Sequence, residues 1–135
     1  MATKIFNNLC VNHLETSKAF YTAIGFSINP QFSNETAACV VISEHIFAMI
    51  LMPEFFQSFT QKKLVNAHES AEIIMALSFD SRAEVDEITA KAVAAGGTEP
   101  RGPQDHGFMY TRAFNDPDGH SWEAFWMDPA AVNPG

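Results

Sequence analysis

The chain has 135 residues, 47% of them hydrophobic and twelve of them phenylalanine, a composition typical of one compact domain with a sizeable core. Its formal net charge of −8 disfavours nucleic acids and anionic membrane surfaces as partners. No apolar run reaches the length of a membrane span and no signal segment precedes the first strand pattern, so we expect a cytoplasmic protein in which Cys10 and Cys39 are reduced, with no membrane partner.

Residues 4–52 predict a β-α-β-β-β unit. Residues 4–11 have the apolar pattern of a strand, and Asn12 with Glu15 resembles a helix-capping pair. A helical stripe follows and ends at Gly25; it consists of Leu14, Phe20, Tyr21 and Ile24. Three further strands are predicted at 26–32, 37–43 and 46–52, with turn residues between them.

Residues 53–72 differ in pattern from the segments on either side. Pro53 and Glu54 are suited to the first turn of a helix, and Phe55, Phe56 and Phe59 follow at helical spacing. One interpretation is a crossover helix that packs on the rim of the core. The other is a mobile lid or a dimer contact, because three phenylalanines are hard to bury in a linker.

Residues 73–128 repeat the order of the first unit. A strand is predicted at 73–79, and Ser81 with Glu84 forms a capping box at the start of a helix. The apolar face of that helix consists of Val85, Ile88, Ala92 and Ala95. Strands are then predicted near 98–103, 108–115 and 120–127. The turn between the last two, Asp116-Pro-Asp-Gly119, has the composition of a tight structural turn.

The two units align with each other as an internal repeat. Ile5 aligns with Ile73, a shift of 68, and Glu44 aligns with Gly119, a shift of 75. A repeat of this length predicts an α+β fold in which two βαβββ modules enclose a concave face about a pseudo-twofold axis. We expect one domain over residues 1–135, with module 1 at 4–52, the crossover at 53–72 and module 2 at 73–128.

Two motifs resemble a known superfamily. Val11–Tyr21 followed by Gly25-Phe26 resembles the first module of the vicinal oxygen chelate superfamily, and Asp116–Glu123 resembles its last turn and strand. That superfamily includes glyoxalase I, bleomycin-resistance proteins, fosfomycin-resistance proteins and extradiol dioxygenases. The resemblance covers nearly the whole chain and implies the two-module fold. It also implies a homodimer, since members commonly complete their cavities across a subunit interface.

The resemblance also implies where a metal would lie. In metal-dependent members each module contributes one ligand from its first strand and one from its last, and these positions fall on Phe6, Ala48, Ile74 and Glu123. Only Glu123 can bind a cation. A slip in register would bring in Asn7 or Asn8, which are weak ligands and do not restore the site. We therefore expect no cofactor, with a divalent metal held by an altered ligand set as the alternative.

Two residues are candidate catalytic groups. Glu123 alternates with the tryptophans of its strand and shares a face with Met127. If that face lines the cavity, the carboxylate lies among apolar neighbours and is suited to acid–base chemistry; otherwise it is a surface or internally hydrogen-bonded carboxylate. His106 lies at a hairpin tip, either as a solvated turn residue or at the cavity mouth beside Tyr110. His120 is predicted to lie outside the cavity, on the tryptophan face.

The leading hypothesis is a metal-free protein that binds a small, largely apolar or aromatic organic molecule on the concave face. The alternatives are a metal-dependent lyase or dioxygenase, a metal-free acid–base catalyst that uses Glu123 with His106, and a scaffold whose cavity is filled by its own side chains. The candidate ligand-binding residues are Phe6, Asn8, Ala48, Ile74, Tyr110, Glu123 and Met127.

Overall fold

The computed structural model describes residues 2–131 as two four-stranded sheets, which confirms the predicted α+β class and its two similar modules. The first module comprises β1 (Ile5–Cys10), α1 (Leu14–Ala23), β2 (Ser27–Asn29), β3 (Ala37–Val41) and β4 (Ile46–Leu51). A short helix, α2 (Pro53–Gln57), lies in the crossover. The second module comprises β5 (Ile74–Phe79), α3 (Arg82–Ala94), β6 (Gln104–Asp105), β7 (Met109–Asn115) and β8 (Ser121–Met127).

Both sheets have the same topology. Their strand orders are β1-β4-β3-β2 and β5-β8-β7-β6, and in each the first strand of the module runs parallel to the last while the other pairs are antiparallel. This repeated topology is the structural counterpart of the repeat in the sequence. No helix within residues 2–131 combines the length and apolarity needed to cross a membrane.

The module helices α1 and α3 begin in different ways. Ser81 caps α3: its hydroxyl accepts a hydrogen bond from the Glu84 amide at 3.2 Å, and the Glu84 carboxylate accepts one from the Asp80 amide at 2.8 Å. The capping pair predicted at Asn12 is wrong, because α1 begins at Leu14 and Asn12 is engaged elsewhere. The start of α1 therefore depends on contacts from a distant part of the chain.

Two predicted strands differ from the structure. The strand predicted at 26–32 ends at Asn29, whose side chain accepts a hydrogen bond from the Gln31 amide at 3.0 Å as the chain enters a 3-10 turn at Pro30–Phe32. The strand predicted at 98–103 is wrong. Only Thr98 forms a bridge there, and the pairing strand is β6. Prolines and a glycine between 100 and 103 interrupt it, since proline has no amide hydrogen to donate to a ladder.

One hydrophobic core joins the two modules. It is built from the helix-facing residues of both sheets and from the apolar stripes of α1 and α3. All four residues of the predicted stripe in α1 are buried. The largest fully buried side chains in this core include Phe20, Tyr21, Ile50, Phe114 and Trp122.

The strand register corrects one predicted site residue. Phe6 lies opposite Phe47 and Ile74 lies opposite Ser121, so the last strands of the modules are related by a shift of 74 rather than 75. Ala48 is then equivalent to a core tryptophan and is itself 0% exposed on the helix-facing side of its sheet. The prediction that Ala48 lines the concave face is therefore wrong, because a one-residue change of register moves a side chain to the other face.

Candidate functional site

A cleft of about 360 Å³ lies where β1, β5 and the crossover segment meet. Its apolar walls are formed by Leu9, Phe56, Leu64, Val65, Ile73 and Met75. Its polar lining includes Asn8, Cys10, Thr60, Ser70, His120 and Ser121, with Lys62, Lys63 and Glu72 also at the cleft. A neighbouring cleft of about 340 Å³ shares the Leu64–Val65 wall and reaches Asn12 and Asp118.

The crossover segment forms the outer wall of this cleft. Phe55 and Phe56 of α2 are half-buried, and Phe56 lines the cleft. Phe59 is 69% exposed, and its ring makes an edge contact with the Phe55 ring, at 5.1 Å between centroids. The predicted packing of the phenylalanines on the rim therefore describes the first two and not Phe59.

The Asp116–Gly119 turn supports the opposite wall, as its predicted structural role requires. The Gly119 amide donates to the Asp116 carbonyl at 2.9 Å, and Gly119 has a φ of +90°. The crossover backbone passes so close that a Cβ at Gly119 would lie 2.7 Å from the His68 nitrogen. Glycine is thus required here both by its backbone conformation and by the close approach of a second segment.

A buried polar network ties this turn to the first module. Asp118 accepts hydrogen bonds from the Asn12 amide at 2.9 Å and from the Ser17 hydroxyl at 3.1 Å. Asp116 accepts one from the Tyr21 hydroxyl at 2.5 Å. Burial raises the pKa of the Asp116 carboxyl, and burial together with the nearby Asp116 charge raises the pKa of Tyr21 well above its usual range. The network joins the two modules beside the cleft.

His120 borders both clefts, which corrects the prediction that it lies outside the cavity. Its Nε2 lies 2.7 Å from the Cys10 carbonyl oxygen. Because a carbonyl can only accept, Nε2 carries the hydrogen of this bond. Burial, and secondarily the charge of Asp118, raise the pKa of the Cys10 thiol, so the thiol is not an activated nucleophile.

Glu123 lies on the face of the second sheet that points away from the helices, between Ala76 and Ala113 of the flanking strands. Its Oε1 accepts a hydrogen bond from Arg101 Nη2 at 2.5 Å, and its side chain is 24% exposed. Of the two interpretations, the internally hydrogen-bonded carboxylate matches this geometry. Arg101 was not predicted as a site residue, although an arginine in the loop before β6 was the available signal in the sequence.

The structure does not bring Glu123 and His106 together. His106 is exposed at the hairpin tip, where its amide donates to the Met109 carbonyl at 2.8 Å. Met109 pairs with Met127, four residues along β8 from Glu123, a distance of about 13 Å in an extended strand. The predicted acid–base pair therefore lacks the proximity that joint proton transfer requires.

The other predicted ligand residues are dispersed. Tyr110 faces α3, where its hydroxyl donates to Asp86 Oδ1 at 2.6 Å, so its predicted orientation towards the cavity is wrong. Phe6 stacks on Phe47 with centroids 4.5 Å apart, and Ile74 is exposed beside the cleft without lining it. Of the seven predicted ligand-binding residues, Asn8 alone lines the larger cleft.

The side chains at the positions where the resemblance implies a metal do not fit a divalent cation. With the corrected register they are Phe6, Met49, Ile74 and Glu123, and the single carboxylate is hydrogen-bonded to Arg101. Divalent cations of the hard type need several oxygen or nitrogen ligands around one point. Among residues 2–131, no three histidine, cysteine, aspartate or glutamate side chains converge in this way.

Several solved structures share the fold of this chain over most of its length. No curated protein sequence matches the chain. The hypothetical protein SA1046 from S. aureus is 28% identical with a TM-score of 0.79, over 93% of this chain and 94% of that one. A glyoxalase/bleomycin resistance protein/dioxygenase family enzyme from Burkholderia phytofirmans PsJN is 16% identical, with a TM-score of 0.77 over 93% of this chain and 99% of that one. A bleomycin resistance determinant encoded on the transposon Tn5 is also 16% identical, with a TM-score of 0.66 over 94% and 99%.

The match at the level of sequence families extends over most of the chain. The sequence model of the Glyoxalase/Bleomycin resistance protein/Dioxygenase superfamily matches residues 6–124. This span runs from the second residue of β1 into β8 and so includes both modules and the crossover. The chain belongs to the Glyoxalase/Bleomycin resistance protein/Dioxygenase superfamily.

Proposed function

We propose that the protein binds a small, largely apolar organic molecule in the cleft between β1, β5 and the crossover segment, without the metal that some members of the superfamily use. The observation that carries the proposal is the cleft itself. Its volume of about 360 Å³ falls in the range of small-molecule sites, roughly 300–1,000 Å³. Apolar walls with a few polar groups, among them Asn8 and His120, are the usual composition of such sites.

The metal-free part of the proposal is supported by side-chain chemistry. Phenylalanine, methionine and isoleucine at the inherited positions offer no ligand that a hard cation prefers. Elemental analysis of protein purified without added metal tests this directly. We expect nickel, zinc, iron and manganese each far below one per chain. A transition metal near one per chain would contradict the proposal.

Binding can be tested with Nile red, a neutral dye whose fluorescence rises in apolar surroundings. We expect saturable binding that weakens roughly tenfold in Leu64→Asn/Val65→Asn, because that pair forms an apolar wall of the cleft. The matched control is Phe32→Asn/Val93→Asn, which replaces two exposed apolar residues outside the cleft. Equal loss in both variants, or no saturable binding to the unaltered protein, would contradict the proposed site.

We also propose that the protein forms a homodimer. Phe6 and Ile74 are 47% and 57% exposed at the starts of β1 and β5, on the sheet faces that point away from the helices. Apolar faces of this kind are commonly covered by a second copy in symmetric oligomers. The chain has a mass of 14.9 kDa, and light scattering at micromolar concentration should give twice that value. A monomeric mass would contradict the dimer and leave the binding proposal standing.

A further inference from the structure

The cationic side chains of this acidic chain fall into two groups. Five of the eight lie against carboxylates: Lys18, Arg82, Lys91, Arg101 and Arg112. Lys4 lies over the Phe47 ring, 5.7 Å from its centroid. Within residues 2–131, Lys62 and Lys63 are the two cations with neither a carboxylate nor an aromatic partner, and both line the cleft.

The loop that carries these lysines is held in place by its own hydrogen bonds. Gln57 Nε2 donates to the Thr60 carbonyl at 2.8 Å and to the Lys62 carbonyl at 3.0 Å. The Lys62 amide donates to Thr60 Oγ1 at 3.1 Å. Since these bonds use only the backbone amide and carbonyl of Lys62, they position the loop at the cleft and do not engage its ammonium group. A charged group on a preformed loop binds a ligand with less loss of conformational entropy.

The local charge at the cleft opposes that of the whole molecule. The chain carries a formal net charge of −8, which repels anions at long range. The cleft has two lysines and one carboxylate, Glu72, among its lining residues, so its own balance is positive. Beside these cations lie the apolar walls that include Leu64, Val65 and Met75. Apolar surface next to unpaired cations fits a molecule with an apolar body and an anionic end.

We infer that the ligand of this cleft is an amphipathic organic anion, with its apolar body against the Leu64–Val65 wall and a carboxylate or similar acid group at Lys62 and Lys63. This inference rests on the binding function proposed above and adds the chemical class of the ligand. Two ammonium groups on adjacent residues can contact one acid group together, and the attraction is stronger beside an apolar wall than in open solvent.

Calorimetric titration with octanoate and octanol tests the inference, because the two probes share an alkyl chain and differ in charge. At pH 7.5 and low salt, octanoate should bind about tenfold more tightly than octanol. Lys62→Gln/Lys63→Gln should abolish that preference without changing the affinity for octanol. The control, Lys4→Gln/Lys18→Gln, makes the same change in net charge away from the cleft and should keep the preference.

Each other outcome identifies which claim fails. Equal affinities of octanoate and octanol for the unaltered protein would overturn the anionic class and leave the binding function intact. Equal weakening of octanoate in both double variants would show a general charge effect and overturn the assignment to Lys62 and Lys63. If neither probe binds and Nile red does not bind either, the proposed function fails together with the inference.

Discussion

Tyr21→Phe should destabilise the protein by about 3 kcal/mol. The Tyr21 hydroxyl donates to Asp116 Oδ2 at 2.5 Å and accepts from Trp122 Nε1 at 3.2 Å, and all three side chains are buried. A hydrogen bond to a charged group is worth roughly 1.5–3 kcal/mol, and a buried donor left unpaired costs about 1–3 kcal/mol. The variant loses the hydrogen bond to Asp116 and leaves the Trp122 indole N–H unpaired, so both effects lower the free energy of unfolding. For a chain of this length the melting temperature should fall by roughly 10 °C.

Tyr110→Phe is the matched control, since it removes a hydroxyl with the same chemistry at a more exposed site. The Tyr110 hydroxyl donates to Asp86 Oδ1 at 2.6 Å, but Asp86 is half exposed and also accepts from Arg112. Water can replace the lost donor there, so we expect a loss below about 1 kcal/mol. Urea denaturation of Tyr21→Phe and Tyr110→Phe gives the free energy of unfolding of each variant. Equal losses would refute the argument that burial sets the magnitude.

The effect of Tyr21→Phe should also depend on pH. Because burial raises the pKa of Asp116, the folded state holds this proton at a pH where the unfolded chain has released it. The stability linked to Asp116 is therefore present below about pH 4 and is lost as pH rises through the raised pKa. The ionised carboxylate needs the Tyr21 donor most, so the loss in Tyr21→Phe should be smaller at pH 4 than at pH 7. An equal loss of stability in Tyr21→Phe at pH 4 and at pH 7 would contradict this dependence on the Asp116 charge.

Three further predictions concern single residues. Gly119→Ala should lower the free energy of unfolding by about 2 kcal/mol or more and should weaken Nile red binding. Gly25 also has a positive φ but faces open space, so Gly25→Ala should lower the free energy of unfolding less and leave dye binding unchanged. Glu123→Gln should lower the free energy of unfolding, measured by urea denaturation, by about 0.5 kcal/mol, because the ion pair with Arg101 is partly exposed. It should not change dye binding. Tyr110 lowers the pKa of Asp86, so the linked stability is present above about pH 4 and lost in acid; Asp86→Asn should flatten that part of the stability–pH curve.

The parts of the fold that the sequence predicts are those with local signals. The stripe that includes Phe20 and Tyr21 is buried as its spacing requires, and Ser81 with Glu84 caps α3. Each of these signals spans a few residues, so no knowledge of distant contacts is needed. The repeat adds the one long-range inference that can be made, because two similar segments predict two similar modules.

The register of the last strand in each module could not be predicted from the repeat. The alignment at a shift of 75 places His45 over His120, but the backbone pairing gives 74. Turn lengths absorb such a difference without changing any residue pattern. In a strand, however, one residue reverses the face, and this moved Ala48 from the expected cavity into the core.

The cleft could not be predicted because its walls come from segments far apart in the chain. His120 lies beside β1 through a bond to Cys10, which is 110 residues away in sequence, and the crossover wall has no repeat partner. The Arg101–Glu123 pair likewise joins a loop to a strand. Propensity and periodicity contain no information about which loops meet, so the site residues carried over from the resemblance or chosen by strand alternation were dispersed over two sheets.

The turns before the last strands of the two modules make different polar contacts, and the turn of module 2 borders the cleft. The Asp116–Gly119 turn of module 2 is anchored to α1 through Asp118 and Asp116. Under the shift of 74, Asp118 is equivalent to Glu44 of module 1, which is exposed and whose carboxylate lies 3.9 Å from the ring of its neighbour His45. The anchored turn also lies close to the crossover backbone, at Gly119. A ligand in this cleft would therefore contact both modules and the segment that joins them, and would stabilise their docked arrangement in proportion to its occupancy.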